Sequence, residues 1–255
     1  MKLPHFLTAL GINLVPALGW FLGYWNSGTT LAVYWCETVL ASLFIAARML
    51  LHRRVVRVRG HFRYEPPKDA RQNGAGIPFL KHFLPVALMF SAVHAVFLGV
   101  LIFLMTQNGR GDQVRLNLHE LALGVGLILA FQIVDFVIDL VRLKTRPFRW
   151  IEVMAERNIA RVLIIQMTII IGVAVGGWMD SARGFFLVFV ILKTMNDLNS
   201  VVPQYDPEEA PKWLCRLMDK VPNATGKKQT FAEFWKEGKV GERARVAKNE
   251  QPYNG

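Results

Sequence analysis

The sequence predicts an all-α fold: a bundle of about six membrane-spanning helices with both chain ends on the cytoplasmic side. Three observations carry this. Hydrophobic residues make up 53% of the 255, more than the roughly 45–50% that soluble domains reach even with Gly counted. The chain also carries a net charge of +11 at a positive mean hydropathy of +0.29, so apolar and charged residues must occupy separate blocks. Finally, the apolar blocks recur at about 20 residues, the length a helix needs to cross a hydrocarbon core of ~30 Å. Such separation excludes a soluble nucleic-acid-binding domain, which the charge alone would suggest. Two cysteines, Cys36 and Cys215, exclude a disulfide scaffold.

The expected spans are 6–25, 30–51, 82–105, 119–141, 160–179 and 184–200. The first contains Pro16, which a membrane helix tolerates. Lys2 ahead of an apolar run also resembles a secretory leader, but the run exceeds an ordinary leader core and is read as an uncleaved span. Trp20, Tyr24 and Trp25 are expected as interfacial anchors at the outer face with Trp178, and Trp150 at the inner boundary. The sixth span is the shortest and holds Lys193 and Asp197. Gly19 with Gly23, and Gly172 with Gly176, have the spacing of close helix packing within the monomer. The chain therefore divides into a transmembrane bundle, 1–200, and a cytoplasmic tail, 201–255. Within the tail, 212–221 and 231–236 are amphipathic and suit helices lying on the inner leaflet, or a docking face for a protein partner. Residues 242–255 are expected to be disordered.

Orientation follows from the cations. Of the 30 Lys and Arg, 24 fall at Lys2, in 52–81, in 142–157 and in the tail. Three fall in the alternate connections (Arg110, Arg115 and Arg183), and Arg48, Arg161 and Lys193 lie inside spans. Positive charge stays in the cytoplasm, so both ends and both basic connections are placed there. The same basic segments would attract anionic lipid headgroups.

A charge in hydrocarbon costs ~2.5–3.5 kcal/mol on insertion scales, so each intramembrane ion needs a partner or a purpose. Gln132, Asp135, Asp139 and Arg142 are spaced 3, 4 and 3 and share a helical face. Lys193 and Asp197 are an i,i+4 pair, and Glu37 and Arg48 lie almost three turns apart on one face of the second span. At 1.5 Å per residue, Arg48, Asp139, Arg142, Arg161 and Asp197 lie towards the cytoplasmic side, with Asp135 deeper. Lys193 and His94 fall near the midplane and Glu37 in the outer half. Two uses remain open. The charges could pair and hold helix register, as expected for Arg48, Asp139, Arg142, Arg161 and Asp197. Or Glu37, His94, Asp135 and Lys193 could line a binding or translocation path. No P-loop, zincin helix, nucleophile elbow or nucleotide fingerprint is present, so no catalytic residue, metal or cofactor is assigned.

Tyr34-Trp35-Cys36-Glu37 early in the chain and Lys193-Thr194-Met195-Asn196-Asp197 at the end of the last span resemble an uncharacterised family of prokaryotic multi-pass membrane proteins known by a domain-of-unknown-function label. The resemblance covers about 6–200. It implies the topology and a bacterial or archaeal cytoplasmic membrane, brings no activity, and singles out Glu37, Lys193 and Asp197. Three functions are consistent with these readings: a non-catalytic accessory or scaffold subunit of a membrane assembly, a small-solute or ion transporter, and an intramembrane lipid-modifying enzyme.

Overall fold

The computed structural model describes residues 3–67, 76–109, 111–176, 190–198, 207–221 and 230–254. In order they form α1 (Leu3–Phe21), α2 (Ser27–Val55), α3 (Arg59–Phe62), α4 (Phe79–Gln107), α5 (Gly111–Val114), α6 (Leu118–Val141), a 3-10 turn (Leu143–Thr145) and α7 (Phe148–Gly176). A helical segment at 190–198 (α8) follows, then α9 (Lys212–Met218) and α10 (Phe231–Asn249). No strand occurs among the described residues. The chain divides into two compact units, Met1–Val56 with Leu80–Val202, and Arg57–Phe79 with Pro203–Gly255.

Four helices of the first unit, α1, α2, α4 and α6, are long and apolar enough to cross a membrane, and they overlap the first four expected spans. The expected span at 160–179 lies in α7 as far as Gly176, and α7 begins earlier than the apolar run, at Phe148. Charges pair within its first turns: Arg149 reaches the buried Glu152 at 2.7 Å and Glu156 at 3.1 Å. Of the expected span at 184–200, α8 covers 190–198; residues 177–189, with Trp178, and 199–200 lie outside the described residues. So do the surroundings of Gly172 and Gly176.

The outward faces of these helices are apolar. α4 exposes Val93, Val96, Val100 and Phe103, and α6 exposes Leu123, Leu127, Val134 and Val137. A continuous apolar face of that kind suits lipid and not water.

The corner between α1 and α2 departs from the sequence reading. Trp25 is not an interfacial anchor but is buried, 8% exposed, against Val33 and Ile128. Two glycines make room for its indole: a Cβ on Gly19 would stand 2.3 Å from a ring carbon, and one on Gly124 2.6 Å from another. Gly23 lies beyond the end of α1 at φ +77, a left-handed conformation that favours glycine. The Gly19/Gly23 spacing thus serves a turn and an aromatic seat, not a helix–helix contact. Trp20 is half-buried against the cluster of Leu31, Tyr34 and Leu98, whereas Tyr24 is exposed.

Asn26 then caps α2 by accepting from the Thr29 amide at 2.9 Å, and Asn117 caps α6. The two caps are tied, since the Asn117 amide donates to Thr29 Oγ1 at 3.1 Å. Gly28 sits at this junction, where a Cβ would stand 2.2 Å from the Val114 carbonyl oxygen. Backbone cannot yield as a side-chain tip can, so Gly28→Ala should cost about 1–3 kcal/mol. Detergent-driven unfolding should show this loss beside a near-neutral Gly126→Ala, since a Cβ at Gly126 meets nothing within 4 Å.

In the second unit, α10 starts with a capping box, Thr230 with Glu233. The Phe231 amide donates to Asp219 at 2.8 Å, joining α10 to the turn after α9. The expectation of disorder over 242–255 is overturned for the described residues, 242–254. α10 runs to Asn249, Arg245 donates to Glu242 at 2.7 Å and to the Glu65 carbonyl at 2.9 Å, and Asn249 donates to the same carbonyl at 3.0 Å. Beyond the helix, Pro252 bridges to Val58, and the Tyr253 ring stacks on Phe62 with centroids 4.4 Å apart. The polar composition that suggested disorder belongs to residues bonded to the 57–67 segment, a partner remote in sequence.

Candidate functional site

The charged residues that the sequence places inside apolar runs lie in the first unit, and most of them gather in two clusters.

The first is built on Arg48 of α2. Its guanidinium reaches two carboxylates one turn apart on α6: Nη2 donates to Asp135 at 2.8 Å and Nε to Asp139 at 2.8 Å. The planar fork of Arg suits this double engagement, presenting Nε and Nη2 in fixed directions to the two carboxylates. The guanidinium also lies 5.2 Å from the centroid of the Phe136 ring. From α1, His5 Nδ1 lies 2.7 Å from Asp135 and Nε2 3.6 Å from Asp139, while the Thr8 hydroxyl donates to Asp135 at 3.0 Å. The cluster therefore ties α1, α2 and α6 at one level. Donor atoms of His5, Asp135 and Asp139 lie within 4.8 Å of one another, a set of types that a divalent ion uses. Arg48 holds Oδ2 of each carboxylate, and Oδ1 of each faces His5.

The second cluster is built on Lys193 of α8. Its side chain is 1% exposed, and Nζ donates to Asp197 at 2.8 Å, Asn13 at 2.9 Å and Glu37 at 3.0 Å. An ammonium has three donors, and all three are used. Asn13 of α1 returns a bond to Asp197 at 2.9 Å. From α7, Arg161 approaches Glu37 at 3.4 Å and Asp197 at 3.8 Å, and also donates to Asn158 at 3.2 Å. Asn158 donates to Ser42 of α2 at 2.9 Å. Gln132 of α6 donates to the Glu37 carbonyl at 3.3 Å. Two carboxylates thus face one ammonium and one guanidinium, equal and opposite in formal charge. One Glu37 oxygen, Oε2, is buried without a hydrogen-bond partner.

The sequence-derived residues divide between these clusters. Glu37 and Arg48 share α2 but serve different ones, because each meets the helix opposite its own level. Asp135 and Asp139 join Arg48, while Lys193, Asp197 and Arg161 join Glu37. Arg142 is exposed at the end of α6, outside both. His94 is 2% exposed, and neither ring nitrogen has a hydrogen-bond partner, so no hydrogen bond relays it to Glu37 or Lys193. Sequence reasoning passed over His5, Thr8 and Asn13, although all three are polar residues interrupting the first apolar run. Asn13, neutral and without a charged neighbour in the sequence, contacts both members of the Lys193–Asp197 pair.

This is an all-α chain with several apolar helices of membrane-crossing length and charged residues held between them, the class to which multi-pass membrane proteins belong. Residues 2–212 match the family of unknown function DUF6498, and the chain belongs to that family. No curated protein and no solved structure matches it.

Proposed function

We propose that the protein is a non-catalytic accessory or scaffold subunit of an assembly in a prokaryotic cytoplasmic membrane, spanning it six times with both ends in the cytoplasm. The observation that carries this reading is the state of Lys193. A buried ammonium with all three donors engaged by α1, α2 and its own helix serves as a fastener; a translocation site needs an ion free to exchange partners. Arg48 joins α2 to α6 in the same way, and α1 joins them through the bonds of His5 and Thr8 to Asp135. Buried ionic groups of this kind are best attested as devices that set register.

Co-purification from native membranes at endogenous level tests it. A stoichiometric protein partner is expected, and a chain recovered alone with a bound small molecule would overturn it. A small-solute or ion transporter is the second reading, favoured by the unpartnered Oε2 of Glu37. That reading requires solute or ion flux in proteoliposomes that Glu37→Gln abolishes.

A further inference from the structure

The unit of Arg57–Phe79 with Pro203–Gly255 presents a surface that the buried clusters do not use. At 3.6 residues per turn, Lys212, Arg216 and Lys220 form one stripe along α9 and the turn that follows it. Trp213, Leu217 and Val221 form the adjacent stripe. All six are exposed, Trp213 by 67% and Leu217 by 56%, while Leu214 and Met218 are half-buried. Within the same turn, the one carboxylate, Asp219, is engaged by the Phe231 amide. None of the three cations makes an ion pair among the described residues. Across the two segments of the unit, 15 Lys and Arg stand against 10 Asp and Glu. The 57–79 segment is joined at its ends to α2 and α4, both apolar helices of membrane-crossing length.

We propose that α9 docks on the bilayer that the chain's own helices cross. Trp213, Leu217 and Val221 enter the headgroup–acyl boundary, and Lys212, Arg216 and Lys220 bind anionic lipid phosphates. Each stripe has a reason. An exposed Trp beside aliphatic side chains is the composition of interfacial helices. Cations near an anionic leaflet contribute about a fivefold factor each to the docked population. A protein interface of the same size would be depleted in Lys, and here Lys212 and Lys220 border the apolar stripe at its two ends. Charge complementarity therefore selects a lipid surface over a protein partner.

The test uses the full chain in nanodiscs of phosphatidylcholine alone or mixed with phosphatidylglycerol. A spin label is placed at Leu217→Cys on a Cys36→Ser, Cys215→Ser background, and a control label at Ala244→Cys, an exposed position of α10. The expected result is a several-fold higher ratio of oxygen to nickel-chelate collisions at 217 than at 244, rising further with phosphatidylglycerol. Lys212→Gln, Arg216→Gln and Lys220→Gln together should abolish the rise while leaving helicity intact. Equal collision ratios at the two positions in both lipids would overturn the proposal. So would a label at 217 shielded from both relaxants, the signature of a protein partner, or one dipolar-broadened by a second copy.

Discussion

Replacing Lys193 with Met should cost about 3–5 kcal/mol, because removing one member of a buried ionic set leaves the others uncompensated. Glu37 and Asp197 would lose their shortest charged partner, at 3.0 and 2.8 Å, and retain Arg161 only at 3.4 and 3.8 Å. The expected outcome is a lower midpoint in detergent-driven unfolding of the reconstituted protein. Pairing has a sharper signature than loss. Glu37→Gln combined with Lys193→Met should lose less than the sum of the two single variants, by at least about 1 kcal/mol, since residues sharing a buried network couple by 0.5–3 kcal/mol. Additive losses would remove Glu37 from the Lys193 set. Asn13→Leu supplies an independent check: Lys193 and Asp197 would each lose one hydrogen bond without any change of charge, and the expected loss is about 1–3 kcal/mol.

Arg48→Met should have an effect of similar size, again about 3–5 kcal/mol, for a different reason. Asp135 and Asp139 lie one turn apart and both point at Arg48. Without it two neighbouring carboxylates keep only His5 and the Thr8 hydroxyl as partners among the described residues. Arg48→Met combined with Asp139→Asn, which removes one of the two like charges, should recover part of the loss. Arg48→Lys should recover less than charge conservation suggests, because one ammonium cannot donate in the plane to both carboxylates as Nε and Nη2 do. Unfolding midpoints of the four proteins in one lipid mixture would check this. Equal stability of Arg48→Lys and the parent chain would show that only the charge matters.

Much of the architecture is legible in the sequence. Apolar runs mark α1, α2, α4 and α6 because a bilayer imposes one length on every helix that crosses it, and that constraint acts on composition alone. The i,i+4 relation of Lys193 and Asp197 and the one-turn spacing of Asp135 and Asp139 follow from helix periodicity and reappear as contacts. Other features are invisible at that level. Trp25 reads as an interfacial aromatic because its type and position at the end of a run are those of an anchor. Its burial depends on Gly19, six residues away, and Gly124, almost a hundred residues away, both lacking a Cβ where the indole lies. The tail from 242 reads as disordered because it is polar, yet Arg245 and Asn249 are buried against the Glu65 carbonyl. A local reading has no access to a partner so distant in the chain.

By itself, then, the sequence determined that this chain is helical, apolar in membrane-length blocks, and burdened with a few charges inside those blocks. Length, hydropathy and helical period are properties of each segment alone, so no neighbour is needed to read them. Which charge meets which was decided only by the tertiary structure. Glu37 and Arg48 lie on one face of one helix and still serve separate clusters. The ionic partners of Glu37 come from α8 and α7 and those of Arg48 from α6, and the rotation and depth of those helices are set by packing. Asn13 and His5 gained their roles in the same way. A neutral side chain in an apolar run has no evident purpose until the helix beside it brings a charge within hydrogen-bonding distance.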